Sequence, residues 1–303
     1  MSRNFLSCCL LLALAGAAAP VAMAQQQPTQ TPHPERPNYR RGGLNWEAKT
    51  PPDSSRIRYT VFLIGDVGKP IPEAEGGEPS LNYMRKQILA AGAKSTTVYL
   101  GDNIYEYGMP EAKASDRPES ERRIIDQMKI LRDYQGEKYM IPGNHDWKQG
   151  LRGAVDQVNR EQFFVESYLQ SDSAAFPYTG DFFLPRDACP GPVEVRLQDD
   201  VVLIAINSQW FLQTSGERPY GANSGCGVAN ETDFFTQLED IIQRNAGKNI
   251  VVVAHHPLFS DGIHGGYFTL GTISSPCPSC SSTPSCPCPS LAPYTRLLAS
   301  TAG

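Results

Sequence analysis

Ile57-Arg58-Tyr59-Thr60-Val61-Phe62-Leu63-Ile64 opens with alternating and closes with continuous apolar character, then runs straight into Gly65-Asp66-Val67-Gly68. That is the pattern of a buried strand whose exit turn presents a carboxylate. Three further blocks repeat it in order. Residues 96–100 lead into Gly101-Asp102-Asn103-Ile104-Tyr105, residues 138–141 into Gly143-Asn144-His145-Asp146, and residues 249–254 into His255-His256-Pro257. Helical segments lie between: residues 81–91, 154–169, and one starting at Asp116-Arg117-Pro118-Glu119, an Asp cap with Glu three residues on. Ile124, Met128 and Leu131 share one face of that helix, and Phe234, Leu238, Ile241 and Ile242 mark another. Residues 193–197 and 201–206, parted by Asp199-Asp200, read as a hairpin. Strands alternating with helices predict an α/β layered fold with some antiparallel pairing. Such sheets place their sites at the carboxyl ends of strands, where all four blocks fall.

The rest of the 303-residue chain narrows the possibilities. With 40% hydrophobic residues it can bury one large core, and a net charge of -5 offers no basic field for nucleic acid. Residues 1–24 carry Arg3, an apolar run over 10–19, and Ala22-Met23-Ala24, which reads as a secretory signal cleaved after Ala24. Leu6-Ser7-Cys8 precedes the apolar run, the wrong side for lipid attachment, so no membrane anchor is expected. Residues 25–55 are rich in Gln, Pro, Thr and Arg without apolar period and read as a disordered linker. The expectation is a secreted or periplasmic protein, hence an oxidising compartment. Cys189 and Cys226 sit in loop-like sequence; they form either a disulfide or two separate thiols.

Singly the blocks are weak, since Gly-Asp after a strand is commonly a turn in which Asp caps the next helix, and two tyrosines can simply cover a strand end. Asn144-His145-Asp146 after a Gly and a His pair before Pro257 are harder to explain by packing. Together they supply carboxylate, carboxylate plus phenol, amide plus imidazole, and imidazole, a donor set for two adjacent metal ions. In this order the blocks resemble those of the calcineurin-like metallophosphoesterases, and within them the purple (tartrate-resistant type) acid phosphatases. Most relatives in that superfamily carry His two residues after the first Asp; here Gly68 stands there and Tyr105 is added, as in the purple enzymes.

The resemblance implies a β-sandwich flanked by helices over residues 56–269 and a dinuclear centre of Fe(III) with a divalent Fe, Zn or Mn ion. Asp66 and Tyr105 would serve the ferric ion, Asp102 would bridge, and Asn144 and His255 would hold the second ion, the family spacing before Pro favouring His255 over His256. It implies hydrolysis of phosphate monoesters by attack of metal-bound hydroxide on a small-molecule substrate. His145, held by Asp146, and His264, nine residues after His255, would contact phosphate or protonate the leaving group; an ordinary loop histidine is the alternative for His264.

One block of the family pattern, a final Gly-His-x-His, has no counterpart, and residues 270–303 turn abruptly to Ser, Pro and Cys. A frameshifted or truncated end, a divergent tail, and a small Cys knot around Cys277-Pro278-Ser279-Cys280 are the competing readings. On any of them the domain is C-terminally incomplete, and the chain as written is expected to be a poor catalyst. Two rivals follow: a phosphodiesterase or nucleotide pyrophosphatase on the same metals, and a non-catalytic secreted binding protein with a degenerate site. The oligomeric state is open.

Overall fold

The computed structural model describes residues 54–177, 180–213 and 218–257. Two three-stranded sheets form its centre. The first, in the order β1 (Thr60–Ile64), β2 (Ser95–Tyr99), β3 (Glu137–Met140), is entirely parallel. The second runs β4 (Val193–Gln198), β5 (Val201–Ala205), β6 (Asn249–Val253), with β4 and β5 an antiparallel hairpin and β6 parallel to β5. The expected α/β layering, parallel strands plus one hairpin, is what the chain adopts.

The period of two along the strands explains the layers. Val61, Val98, Tyr139, Leu203, Ala205, Val251 and Val253 share one apolar cluster, so the two sheets pack face to face. The opposite faces carry Phe62, Ile64, Tyr99 and Met140 on the first sheet, and Val202, Ile204 and Ile250 on the second. Helices α1 (Pro79–Ala91), α2 (Arg117–Lys129) and α3 (Ala154–Ser171) cover the former through Ile88, Ile124, Met128, Val158 and Val165. The short α4 (Ser208–Leu212) follows β5, and α5 (Glu231–Arg244) covers the second sheet through Leu238 and Ile241. Ile242, expected on that buried face, is 42% exposed, because the apolar stripe of α5 is narrower than a run of adjacent isoleucines suggests.

Local chemistry sets the element ends. Asn230 caps α5 by accepting from the N–H of Asp233 at 2.9 Å, and Pro79 begins α1, where a missing N–H costs nothing. The capping box expected at Asp116 does not form: Asp116 has helical dihedrals and its side chain caps nothing. Glu119 instead pairs with Arg122 and Arg123. Central strand β2 is buried at every position although it begins Ser95-Thr96-Thr97. Two of these hydroxyls are satisfied by phenols, Ser95 by Tyr134 at 2.8 Å and Thr96 by Tyr59 at 2.6 Å, which removes most of the cost of burying them.

Cys189 and Cys226 are joined by a disulfide. It pins the loop that leads into β4, whose Cys189 carbonyl accepts from the side chain of Asn207, just past the end of β5, at 3.1 Å. Among the described residues no helix is long and apolar enough to cross a membrane. The signal, the linker up to residue 53, the Ser/Pro/Cys segment and His264 lie outside the described residues.

Candidate metal centre

Because β1, β2, β3 and β6 all run the same way within their sheets, their exits deliver Asp66, Asp102, Asn144 and His255 to one edge of the sandwich. The loops are laced by backbone bonds: the Asp66 N–H donates to the Gly101 carbonyl and the Tyr105 N–H to the Gly68 carbonyl, both at 3.1 Å. Asp66 and Asp102 both adopt left-handed backbone, with φ of 59° and 55°. That conformation costs on the order of 1 kcal/mol or more for a residue other than glycine, and such strain concentrates at functional sites.

The approach is close enough to exclude side chains. A Cβ on Gly143 would lie 2.3 Å from both the backbone nitrogen and Oδ1 of Asp102, so the Asp102 carboxylate crosses over a bare backbone. Asp66, Asp102 and His255 each place a ligand atom within 4.8 Å of the other two.

The His255 ring shows what the cluster is suited to hold. Its Nδ1 lies 2.8 Å from the Leu100 carbonyl oxygen, which can only accept, so the ring proton is on Nδ1 and Nε2 presents a lone pair. That Nε2 faces Asn144 Oδ1 at 3.0 Å and Asp102 Oδ1 at 3.4 Å. With the ring neutral, three electron-rich atoms converge there, an arrangement that a bound cation stabilises. A ligating imidazole held by its other nitrogen on a carbonyl is the usual support for a metal ligand. Mixed N and O donors at this spacing fit a transition-metal ion.

Tyr105 donates its hydroxyl to Asp66 Oδ1 at 3.2 Å. Burial, followed by the carboxylates of Asp102 and Asp66, pushes the phenol well above its ordinary pKa, so the metal-free side chain is a neutral donor. Its ring meets that of His145 edge-on, centroids 4.4 Å apart. The His145 backbone N–H donates to Asp102 Oδ1 at 2.9 Å, and ring Nδ1 lies 2.6 Å from the Glu106 carbonyl. Nε2 of His145 is therefore left toward the carboxylates, 3.9 Å from Asp102 Oδ2.

Asp146 is not where the sequence reading put it. Its carboxylate turns inward and accepts from the N–H groups of Gly143, Asn103 and Ile104 at 2.7, 2.9 and 3.1 Å. The Glu106 carbonyl, not Asp146, orients the His145 ring, because Asp146 is committed to holding the backbone of two ligand loops. His256 also turns away: its Nδ1 lies 2.8 Å from the Ser208 hydroxyl, and burial, then the neighbouring His255, lowers its pKa to about 4.

Sequence reasoning missed the supports behind the loops. Gln127 of α2 donates to the Asn103 carbonyl at 2.8 Å, and Arg123 to that of Tyr105. From α3, Arg160 donates to the Met109 carbonyl at 3.1 Å and Gln157 to that of Tyr107. The available signal was polar residues interrupting the core stripe of each helix: Gln127, Gln157 and Glu161 are all buried.

An α/β sandwich whose parallel strand ends gather carboxylates, an amide and an imidazole is a metal-ion protein by class. Residues 59–274 match the family model described as calcineurin-like phosphoesterase, and the chain belongs to that family. Its chemistry is metal-dependent phosphoester hydrolysis. No curated protein and no solved structure matches the chain.

Proposed function

We propose that this chain is an exported phosphoesterase of the purple acid phosphatase type that hydrolyses phosphate monoesters at a dinuclear centre. The convergence of His255 Nε2, Asn144 Oδ1 and Asp102 Oδ1, with Asp66 within 4.8 Å of Asp102 and His255 and bonded to Tyr105, carries this reading. Asp102, within reach of both Asp66 and His255, would be the carboxylate shared by the two ions. Asp66 with Tyr105 offers hard oxygen donors suited to a ferric ion, and Asn144 with His255 suits a divalent one. When bound, the ions supply Lewis-acid polarisation of the phosphoryl group and an activated water.

The chain's own residues do the rest. His145, with Nδ1 committed to the Glu106 carbonyl, keeps Nε2 available to bind phosphate and to carry a proton to the leaving oxygen. Tyr105 fixes the plane of that ring by edge-on packing. His264 retains the phosphate-contacting role that the resemblance gives it. A monoester preference distinguishes this reading from a phosphodiesterase or nucleotide pyrophosphatase on the same residues.

The test is to load the protein with iron and zinc and compare turnover of an aryl phosphate monoester and a bis-aryl diester. Visible absorption is followed in the parent and in Tyr105→Phe. Weak monoester turnover, exceeding that of the diester, with a colour band lost in Tyr105→Phe, is the expected result. Preferential diester cleavage would reassign the substrate class, a colourless iron-loaded parent would remove Tyr105 from the ligands, and tight metal binding without turnover of either ester would favour a binding protein.

A further inference from the structure

His255 leaves its strand before it reaches the site. Among the described residues the last bond between β5 and β6 runs from the Ile206 N–H to the Val253 carbonyl at 3.0 Å, two residues short of the ligand. Beyond it, Nδ1 on the Leu100 carbonyl anchors one corner of the imidazole, and a single hydrogen bond leaves a ring free to pivot. A ligand kept in one orientation needs a further restraint. The neighbouring His256 ring supplies one, packing edge-on against His255 with centroids 4.9 Å apart and planes at 84°.

Ser208, the first residue of α4, fixes that second ring. Its Oγ accepts from the His256 N–H at 3.1 Å and lies 2.8 Å from His256 Nδ1. One hydroxyl thus ties both the backbone and the imidazole of His256, whichever of the two atoms carries the hydrogen of the second bond. Ser208 is in turn set by its neighbour. Asn207 is fully buried, donates its N–H to the Pro190 carbonyl at 3.0 Å and its side-chain amide to the Cys189 carbonyl, and caps α4 by accepting from the Trp210 N–H at 3.3 Å. These bonds hold the start of α4 to the loop that the disulfide closes.

We infer that Ser208 is a positioning residue of the metal centre: its hydroxyl fixes the backbone and ring of His256 and, through that ring, the imidazole of His255. The path runs from the disulfide loop through Asn207 and Ser208 to His256. The second sheet thus sets the ligand from one side, while Leu100, just past β2 of the first sheet, sets it from the other. His256, whose ring turns away from the donor cluster, acts as the wedge behind the ligand. The effect on metal binding rests on the proposed centre, whereas the two bonds of Ser208 do not.

The experiment compares the metal-free, full-length parent with Ser208→Thr and Ser208→Val, two variants that share a shape and differ in the hydroxyl. Calorimetric titration with zinc should show about 10-fold weaker binding in Ser208→Val, the lower end of the usual cost of losing a group that orients ligands. Ser208→Thr, which keeps the hydroxyl, should bind zinc as the parent does. Amide exchange followed by nuclear magnetic resonance in the metal-free proteins should show the His256 N–H exchanging faster in Ser208→Val only, while the Ile206 N–H keeps its protection. An equal loss of zinc affinity in the Thr and Val variants overturns the inference, as does a Val variant that binds zinc like the parent or leaves the His256 exchange rate unchanged. A parent that binds no zinc refutes the metal-centre reading and removes the positioning role with it, and the exchange rates still decide whether Ser208 holds His256. Should Ser208→Val fail to fold, Ser208→Ala against the parent carries the same decision.

Discussion

Gly68→Ala adds one methyl group where the two ligand loops touch. Its Cβ would lie 2.4 Å from the Asp102 carbonyl oxygen and 2.7 Å from both the Asn103 carbonyl carbon and the Ile104 nitrogen, whereas ordinary contact begins at 3.4 Å. All three atoms are backbone, so no side chain can swing aside. The Asp102–Ile104 segment must retreat by about 1 Å (3.4 − 2.4). Overpacking of this kind costs roughly 1–3 kcal/mol, against which alanine returns about 0.4–1 kcal/mol by restricting the unfolded chain. The net loss of up to about 2.6 kcal/mol lowers the melting temperature of a domain of this size by up to about 10 °C. The larger effect falls on the site. Asp102 is the carboxylate common to both proposed ions, and a displacement near 1 Å costs on the order of 100-fold in catalysis. Differential scanning calorimetry of the metal-free protein and monoester turnover of the loaded protein measure the two effects separately. An alanine variant that melts at or above the parent temperature and keeps its turnover would refute the argument. The same geometry predicts that Gly68→His, which restores the histidine most relatives carry there, disrupts the centre instead of adding a ligand.

His255→Ala removes the imidazole whose Nε2 faces Asn144 and Asp102. Zinc affinity in calorimetric titration should fall by more than the roughly 10–100-fold typical of a mere supporting residue. Reducing the Cys189–Cys226 bridge, which spans 37 residues, should cost about 4 kcal/mol by loop-closure entropy, read as a lower denaturant midpoint with reductant present. Lys138 is 2% exposed, donates to the Pro177 carbonyl, and is lowered by burial to a pKa of about 8. Its ordinary value is 10.5, so between those pH values the unfolded chain binds more protons and stability rises with pH. The slope for one proton stays within about 1.4 kcal/mol per pH unit. Lys138→Met should flatten it in chemical denaturation series run across that range.

The strands and the order of the blocks were legible because both are local: an apolar run with period two, then a turn residue carrying a donor. Asp66, Asp102, Asn144, His145 and the His255-His256 pair stand out on that ground, whereas Tyr105 and the choice of His255 over His256 follow from the family resemblance; the structure gathers all six. What could not be read depends on which way a side chain turns after the loops have closed. Asp146 looks like a partner for its neighbour His145, yet three backbone N–H groups claim it. The carbonyl that orients His145 belongs to Glu106, and a backbone carbonyl leaves no mark in a sequence. The Cys189–Cys226 pairing stayed open for the same reason, since two loop cysteines reveal nothing of their separation in space. The capping box at Asp116 failed in the other direction: the local signal was present, and ion pairs of Glu119 with Arg122 and Arg123 displaced it.

Of the gathered ligands, His255 alone comes from the second sheet, and it arrives 189 residues after Asp66 (255 − 66). At a synthesis rate of about 5–20 residues per second, that is a delay of roughly 10–40 s. Until then the first sheet alone can offer only Asp66, Asp102, Tyr105 and Asn144, an all-oxygen set without selectivity for a transition metal. Only when β6 docks beside β5 does the imidazole close the site. The element that confers choice of metal is thus the last of the ligand-bearing elements to be synthesised.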